Sequence, residues 1–329
     1  MNGIPPAQEM PAVASNVPAL PRFRIEALRN AGVAIGCIGL FIIFSALTSN
    51  FYSPSNLLEI MLQSSINAIL AVGMTLVVMC KGIDLSVGSI VGLSSMITAS
   101  VLPSGLPLAI FAGLVIGVGC GLLNGIVIAK LKMPDFIVTL GAMSIYRGAA
   151  LIFSSGQPIY QIADDFRAIF SGTVAGIPTP VIIAVVFAVL AYLLVRFTTL
   201  GEHIIAVGGN EEAARLSGVA VDRVKITVYA LSGFCSAVDG FVLVARIGAA
   251  EPIGGTGFEL QAIGASVIGG ASLFGGEGNP IGSLVGALTL AALQNGLTLL
   301  NVQSFWQYVA SGLVVILAVF ADQVTRRRR

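Results

Sequence analysis

The sequence predicts an all-α integral membrane protein of about ten transmembrane helices with both termini cytoplasmic, and three observations predict it. Of its 329 residues, 56% are hydrophobic and 10% charged, where soluble domains carry about 25% charged residues. Too few charges remain to cover a globular surface. The apolar residues gather in ten runs, 31–48, 57–80, 84–102, 107–129, 136–154, 179–197, 226–248, 258–274, 280–300 and 305–322. Each lies near the ~20 residues that cross a hydrocarbon core at 1.5 Å per residue. With the amino terminus inside, 14 of the 17 basic residues fall on the inner side. Arg167 and Arg246 are left outside and Arg147 within a span. That asymmetry is what the positive-inside rule requires of an even number of spans.

Residues 1–30 hold Pro5, Pro6, Pro11, Pro18 and Pro21 and are expected to form a disordered cytoplasmic tail. The run 31–48 follows Arg22, Arg24 and Arg29. It is long for a signal-peptide core and lacks an A-x-A-like cleavage site, so it reads as a retained span. The transmembrane domain then occupies 31–325, and Arg326 to Arg329 form a basic cytoplasmic tail. Pro54, Pro103, Pro107, Pro134, Pro178, Pro180, Pro252 and Pro280 fall in or near connections, where the missing N–H does least harm. Segment 258–274 carries Glu259, Gln261, Gly264, Gly269 and Gly270, so a broken or re-entrant course is the alternative to a full span there. Tyr52, Trp306 and Tyr308 sit at outer span ends, as interfacial aromatics do.

Gly113, Gly117, Gly121 and Gly125 recur every four residues and make one smooth stripe on a helix. Gly88 with Gly92, and Gly282 with Gly286, repeat that spacing. In lipid, small residues that let backbones approach are the main packing device, so these glycines are expected to pack helices. GSIVGL (88–93) resembles GSLVGA (282–287), a short hint of internal duplication. Asn67, Asn124, Arg147, Asp239, Gln294 and Asn295 are polar groups within spans, where a charge costs at least ~2.5 kcal/mol. Asp84, Ser86, Asn124, Arg147 and Asn295 are the candidates for lining or gating a path, and interhelical hydrogen bonding is the competing role for the amides.

Residues 198–225 form the one sizeable hydrophilic stretch on the inner side. Asn210 is a good N-cap, Glu211 and Glu212 complement the helix dipole, Ala213 and Ala214 favour helix, and Gly218 suits a left-handed cap. A two-turn helix outside the membrane is predicted. It is too short to stand alone, so it docks either on its own spans or into another protein.

Several classes are excluded. No G-x-x-x-x-G-K-[ST] occurs, and GGASLFGGEGNPIG (269–282) lacks the lysine of a phosphate-cradling loop. Cys37, Cys80, Cys120 and Cys235 are scattered singly and His203 is the sole histidine, so neither a metal site nor a catalytic constellation is expected. A formal net charge of +1 gives no field for nucleic acid. The chain reads as a transport protein rather than an enzyme.

GIDLSVGSIVGL (82–93), MPDFIVTLGAMSIYRGAALIFSSGQPI (133–159), GGNEEAARLSGVAVDRVKI (208–226), GGASLFGGEGNPIGSLVGAL (269–288) and SFWQYVASGLVVILAVFAD (304–322) resemble the membrane permeases of bacterial ATP-binding-cassette sugar importers of the ribose type. The resemblance runs from about residue 25 to the end. Branched-chain amino-acid permeases are a cousin group, but GIDLSVGS is characteristic of the sugar side. The resemblance implies an inner-membrane homodimer of permeases, two cytoplasmic ATPases that bind the ATP, and a periplasmic sugar-binding protein. It makes Gly209, Asn210, Glu211, Glu212, Ala213, Ala214, Arg215 and Gly218 the segment that couples to the ATPase. Asp239, where such permeases have a small apolar residue, and Gln261, where an acid is frequent, depart from the pattern. An ion-gradient-driven transporter, for which Asp239 would be the ion-binding acid, and a passive channel or scaffold are the alternatives.

Overall fold

The computed structural model describes residues 22–327. Most of the tail expected at 1–30 and the last two arginines lie outside the described residues. The first half of the chain forms α1 (Arg22–Leu47), α2 (Pro54–Met79), α3 (Val87–Val101, continued by a 3-10 turn at Leu102–Ser104), α4 (Leu106–Lys130) and α5 (Asp135–Ser154). A short helix α6 (Asp164–Ser171) and a two-stranded antiparallel hairpin, β1 (Thr173–Val174) and β2 (Ile177–Pro178), precede α7 (Thr179–Phe197). Then come α8 (Thr199–Gly209), α9 (Glu211–Leu216), α10 (Val221–Ile247), α11 (Phe258–Ile268), α12 (Pro280–Leu299) and α13 (Ser304–Arg327).

Each of the ten apolar runs overlaps a helix. Among the described residues, seven helices are long and apolar enough to cross a membrane: α2, α3 with its 3-10 turn, α4, α5, α7, α10 and α12. The apolar parts of α1, α11 and α13 are shorter. Helix α1 starts nine residues ahead of its apolar run, because nothing between Pro21 and Ala31 interrupts a helix once it has begun. Helix α11 covers only the first 11 residues of 258–274. At 1.5 Å per residue it is ~16 Å long, about half a hydrocarbon thickness. A glycine-rich loop, 269–279, follows it.

Helices α2 and α10 form the centre. Helix α2 is buried without interruption from Ser65 to Met79, and α10 over most of its length. Cys235 of α10 packs on Gly73 of α2. By contrast α4, α5, α7 and α13 keep large apolar side chains outward, including Phe111, Ile145, Ile152, Leu190 and Phe320. Helices that are apolar on both faces belong in hydrocarbon.

The glycine stripe on α4 lies along α10. A Cβ on Gly117 would overlap Ala237 and the Gly233 carbonyl, one on Gly121 the Tyr229 carbonyl, one on Gly125 the Ile226 backbone, and one on Gly113 Thr98 and Phe241. Gly119, on the other side of the same helix, faces open space. Gly282 and Gly286 abut the carbonyls of Gly269 and Ala265 at α11. Gly88 and Gly92 abut the loop between α10 and α11 at Gly255, Gly254 and Pro252. At the end of the bundle away from α9, α6 buries Phe166 against Phe170 and Phe241, and Ile159 bridges to Ala250.

Candidate functional site

Three of the sequence motifs meet at one end of the bundle. The turn after α2, the α8–α9 segment and the loop before α12 touch backbone to backbone. The Gly276 N–H donates to the Met79 carbonyl at 2.8 Å. A Cβ on Gly208 would collide with both groups, and one on Gly275 with the Gly208 carbonyl and Lys81. Glycines at 208, 275 and 276 are therefore what allow these segments to join. The glycine-rich loop 269–282 serves as packing here.

Helix α9 leaves this joint. The Asn210 side chain caps it, Oδ1 accepting from the Ala213 N–H at 3.0 Å. Gly218, at φ +86°, ends it in a Schellman turn, with Val219 N–H on the Ala214 carbonyl and Gly218 N–H on that of Arg215. Ala214 is buried against the body. Glu211 accepts from Lys225 Nζ at 2.7 Å and from Arg215 at 3.3 Å. Asp222 accepts from Lys130 at 3.1 Å and from Arg215 at 3.4 Å. Partial burial raises the Glu211 carboxyl, but the bonds from Lys225 and Arg215 outweigh this and hold it below its ordinary value. The Lys130 bond, with Arg215 behind it, holds Asp222 low despite some desolvation.

One side of α9 is thus tied to α10, and through Asp222 to Lys130 of α4, while Glu212, Ala213 and Leu216 face outward, Leu216 at 84% exposure. Helix α8 was not legible in the sequence, where TLGEHIIAVGG reads as loop. Thr198 starts it, its hydroxyl accepting from the Gly201 N–H at 3.3 Å.

A buried polar cluster stands immediately inside the joint. Gly82 packs beneath the Tyr229 hydroxyl, and the next turn delivers Asp84 into the bundle at 0% exposure. Its Oδ1 accepts from Ser86 Oγ at 2.6 Å and from the Ser86 N–H at 3.0 Å; its Oδ2 accepts from Ser232 Oγ at 2.9 Å. Asn124 donates to Ser86 Oγ at 2.8 Å and accepts from the Tyr146 hydroxyl at 2.9 Å. Asp135 receives the Ile83 N–H at 2.6 Å, and Thr139 and Tyr229 donate to the Ile83 carbonyl. Four elements, the 82–86 turn, α4, α5 and α10, are so joined by polar bonds.

Asp84, Ser86 and Asn124 therefore stand together. Arg147 is elsewhere, donating to the carbonyls of Gly254 at 2.6 Å and Pro252 at 3.1 Å. Asn295 exchanges two 2.9 Å bonds with Asn56 near the far ends of α12 and α2. Arg147 so ties α5 to the loop between α10 and α11, and Asn295 ties α12 to α2. Tyr146, Asp135, Thr139, Tyr229 and Ser232 escaped the sequence reading; Asp135, Thr139 and Tyr146 lay inside a quoted motif without an assigned role. Among the described residues, no group of histidine, cysteine and acidic side chains could hold a metal ion.

Residues 56–319, which contain the whole joint and the Asp84 cluster, match the family described as the branched-chain amino acid transport system permease component. The chain belongs to this permease family. Within it, the chain is 44% identical to the ribose import permease protein of Haemophilus influenzae over 295 residues, 88% of this chain and 91% of the relative. It is 42% identical to that of Bacillus subtilis, covering 90% of this chain and 93% of the relative. To the D-allose transport system permease of Escherichia coli K12 it is 37% identical, covering 86% and 88%. No solved structure matches the chain. In this permease, four of the five motifs of the ribose-type resemblance, all but 304–322, meet at the joint or the polar cluster beside it.

Proposed function

We propose that the chain is the membrane-spanning permease of an ATP-binding-cassette importer that brings a monosaccharide, ribose or a related sugar, into the cytoplasm. It works with a separate ATPase and a sugar-binding protein on the outer face, as a homodimer in the inner membrane. Ten segments cross with both termini inside, α11 completing its passage through the glycine-rich loop that follows it, and α9 faces the cytoplasm. The observation that carries the reading is the double character of α9. A six-residue helix capped at both ends is held to the bundle by Glu211, Ala214 and Arg215, yet turns Glu212 and an almost fully exposed Leu216 outward. An exposed leucine on a rigid, charge-rimmed helix is an anchor for a partner groove. ATP-driven closure of the ATPase pair would move α9 and, through the glycine joint, the spans behind it.

The test is the pair Glu212→Arg and Leu216→Asp. It leaves Arg215 in place because Arg215 braces the loop internally. The chain should insert and fold, lose its co-purifying ATPase, and drop uptake of labelled D-ribose, D-allose, D-xylose and L-arabinose at least tenfold. Unchanged uptake of the transported sugar would sink the coupling assignment. An ion-gradient mechanism finds its one support in Asp239, fully buried with neither carboxylate oxygen hydrogen-bonded. It demands uptake that a protonophore or sodium removal abolishes while ATP persists.

A further inference from the structure

A chamber of about 210 Å³ opens between α2, α10, α11 and α12. Its wall includes Gln63 and Asn67 of α2, Arg246 of α10, Phe258 and Gln261 of α11, and Gln294 of α12. Gln63 is 16 residues from Met79 along α2, or ~24 Å, so the chamber lies at the end of the bundle away from α9. The volume holds about seven waters at ~30 Å³ each, the scale of one pentose or hexose ring.

The lining is unusual for the interior of a bundle. Four of the nine lining residues are amides, each supplying donors and an acceptor, and four, Ile66, Leu243, Ile247 and Phe258, are apolar. Gln63 donates to Gln294 at 3.1 Å, and Gln294 reaches Ser311 at 3.4 Å. The side chains of Asn67, only 3% exposed, and Gln261 have no hydrogen-bond partner among the described residues. Neither amide is among the sealed, unpartnered polar groups, so both are open to the chamber and can turn their donors and acceptors to a polar occupant. The charge at the rim is already matched, because Arg246 pairs with Glu59. No carboxylate lines the wall, so an amino acid would find nothing to receive its ammonium group. A sugar offers hydroxyls that donate and accept, matching the amides, and a C–H face that can lie on the Phe258 ring.

We infer that this chamber is the outer-side resting site of a neutral, monosaccharide-sized polyol, with Asn67 and Gln261 as its hydrogen-bonding groups. The inference deepens the importer reading and rests on it. The experiment uses the complete importer in its native cells, with Asn67→Leu and Gln261→Leu introduced singly and uptake of labelled D-ribose, D-allose, D-xylose and L-arabinose followed. For the sugar that the wild type imports, each variant should lower initial uptake at least tenfold while the ATPase co-purifies in wild-type proportion. A second variant, Gln261→Cys, is read without transport. The four native cysteines are buried, so a membrane-impermeant methanethiosulfonate applied outside should label position 261 at least tenfold faster than the wild-type background. That sugar should slow the labelling at least threefold, and L-leucine should leave it unchanged. Wild-type uptake of a sugar with undiminished uptake by both leucine variants, or labelling insensitive to that sugar, would overturn the chamber alone. Absence of any ATP-dependent sugar uptake by the wild type would overturn the importer reading and the chamber with it.

Discussion

Removal of the Asp84 carboxylate should destabilise the whole fold by an amount the bonds at its two oxygens set. Three donors converge there, the Ser86 N–H, the Ser86 hydroxyl and the Ser232 hydroxyl, all fully or almost fully buried. In Asp84→Ala at least two of them lose their acceptor with no water to replace it. At ~1–3 kcal/mol for each buried group left unpaired, the cost is about 2–6 kcal/mol. Unfolding entropy of ~2.1 cal/mol/K per residue makes 1 kcal/mol worth about 1.4 °C for a chain of this length. The thermal midpoint in detergent should therefore fall by ~3–8 °C. Asp84→Asn keeps the shape and one acceptor oxygen while the serine hydroxyls can rotate, so it loses about one charge-assisted bond, ~1.5–3 kcal/mol, and ~2–4 °C. The assay is thermal unfolding followed by the fluorescence of the purified chain, with the sugar taken up per ATP hydrolysed as a second readout. An alanine variant within 1 °C of wild type, or an asparagine variant as damaging as alanine, would refute the account of Asp84 as the acceptor that holds this corner together.

The α4 stripe permits a comparison within one helix: Gly121→Leu should abolish a monodisperse product because its Cβ meets the Tyr229 backbone, whereas Gly119→Leu, which faces open space, should express and run on size exclusion as wild type. Equal behaviour of the two would remove the packing argument. The ion pairs under α9 give a pH test. Glu211 and Asp222 are held below their ordinary values, so their contribution is complete above the unfolded carboxylate range near pH 4 and is lost as pH falls through the folded values. Amide exchange across 210–222, corrected for intrinsic rates, should stay slow from pH 7 to 5 and quicken below about pH 4; loosening already at pH 5 would contradict it.

The helices were legible because lipid forces each span to satisfy its own backbone, so length and apolarity alone mark it. The cap of α9 was legible too, since Asn210 and Gly218 act locally. Helix α8 was hidden by its terminal glycines, which are there to admit Met79 and Gly276, a contact between segments far apart in sequence. The same limit applied to the polar residues. Asp84, Ser86 and Asn124 could be chosen as candidates, but only the fold brings Tyr146, Asp135 and Ser232 to them. It also places Arg147 and Asn295 apart from that cluster. The half-length of α11 was signalled by Glu259, Gln261 and its glycines, whereas the chamber that Gln261 enters needs four helices and has no sequence signature.

The glycine joint and the chamber are the two ends of the same helices. Helix α2 runs from Gln63 and Asn67 to Met79 at the joint; α10 runs from the foot that pairs Lys225 with Glu211 to Arg246; α12 begins just after Gly275 and Gly276 and carries Gln294. A displacement imposed on α9 meets backbone-on-backbone packing that has no side chains to deform, and interiors so packed switch between arrangements more readily than they stretch. The Asp84 cluster adds α4 and α5 to the same unit. On the proposed importer reading, movement at α9 would thus be delivered to the chamber by three continuous helices. Helix α11 stops at Ile268, ahead of that joint, and Gly269 lies against the start of α12. A wall made of three long helices and one short one that ends ahead of the joint can change shape when the three move together, which is the geometry that alternating access requires.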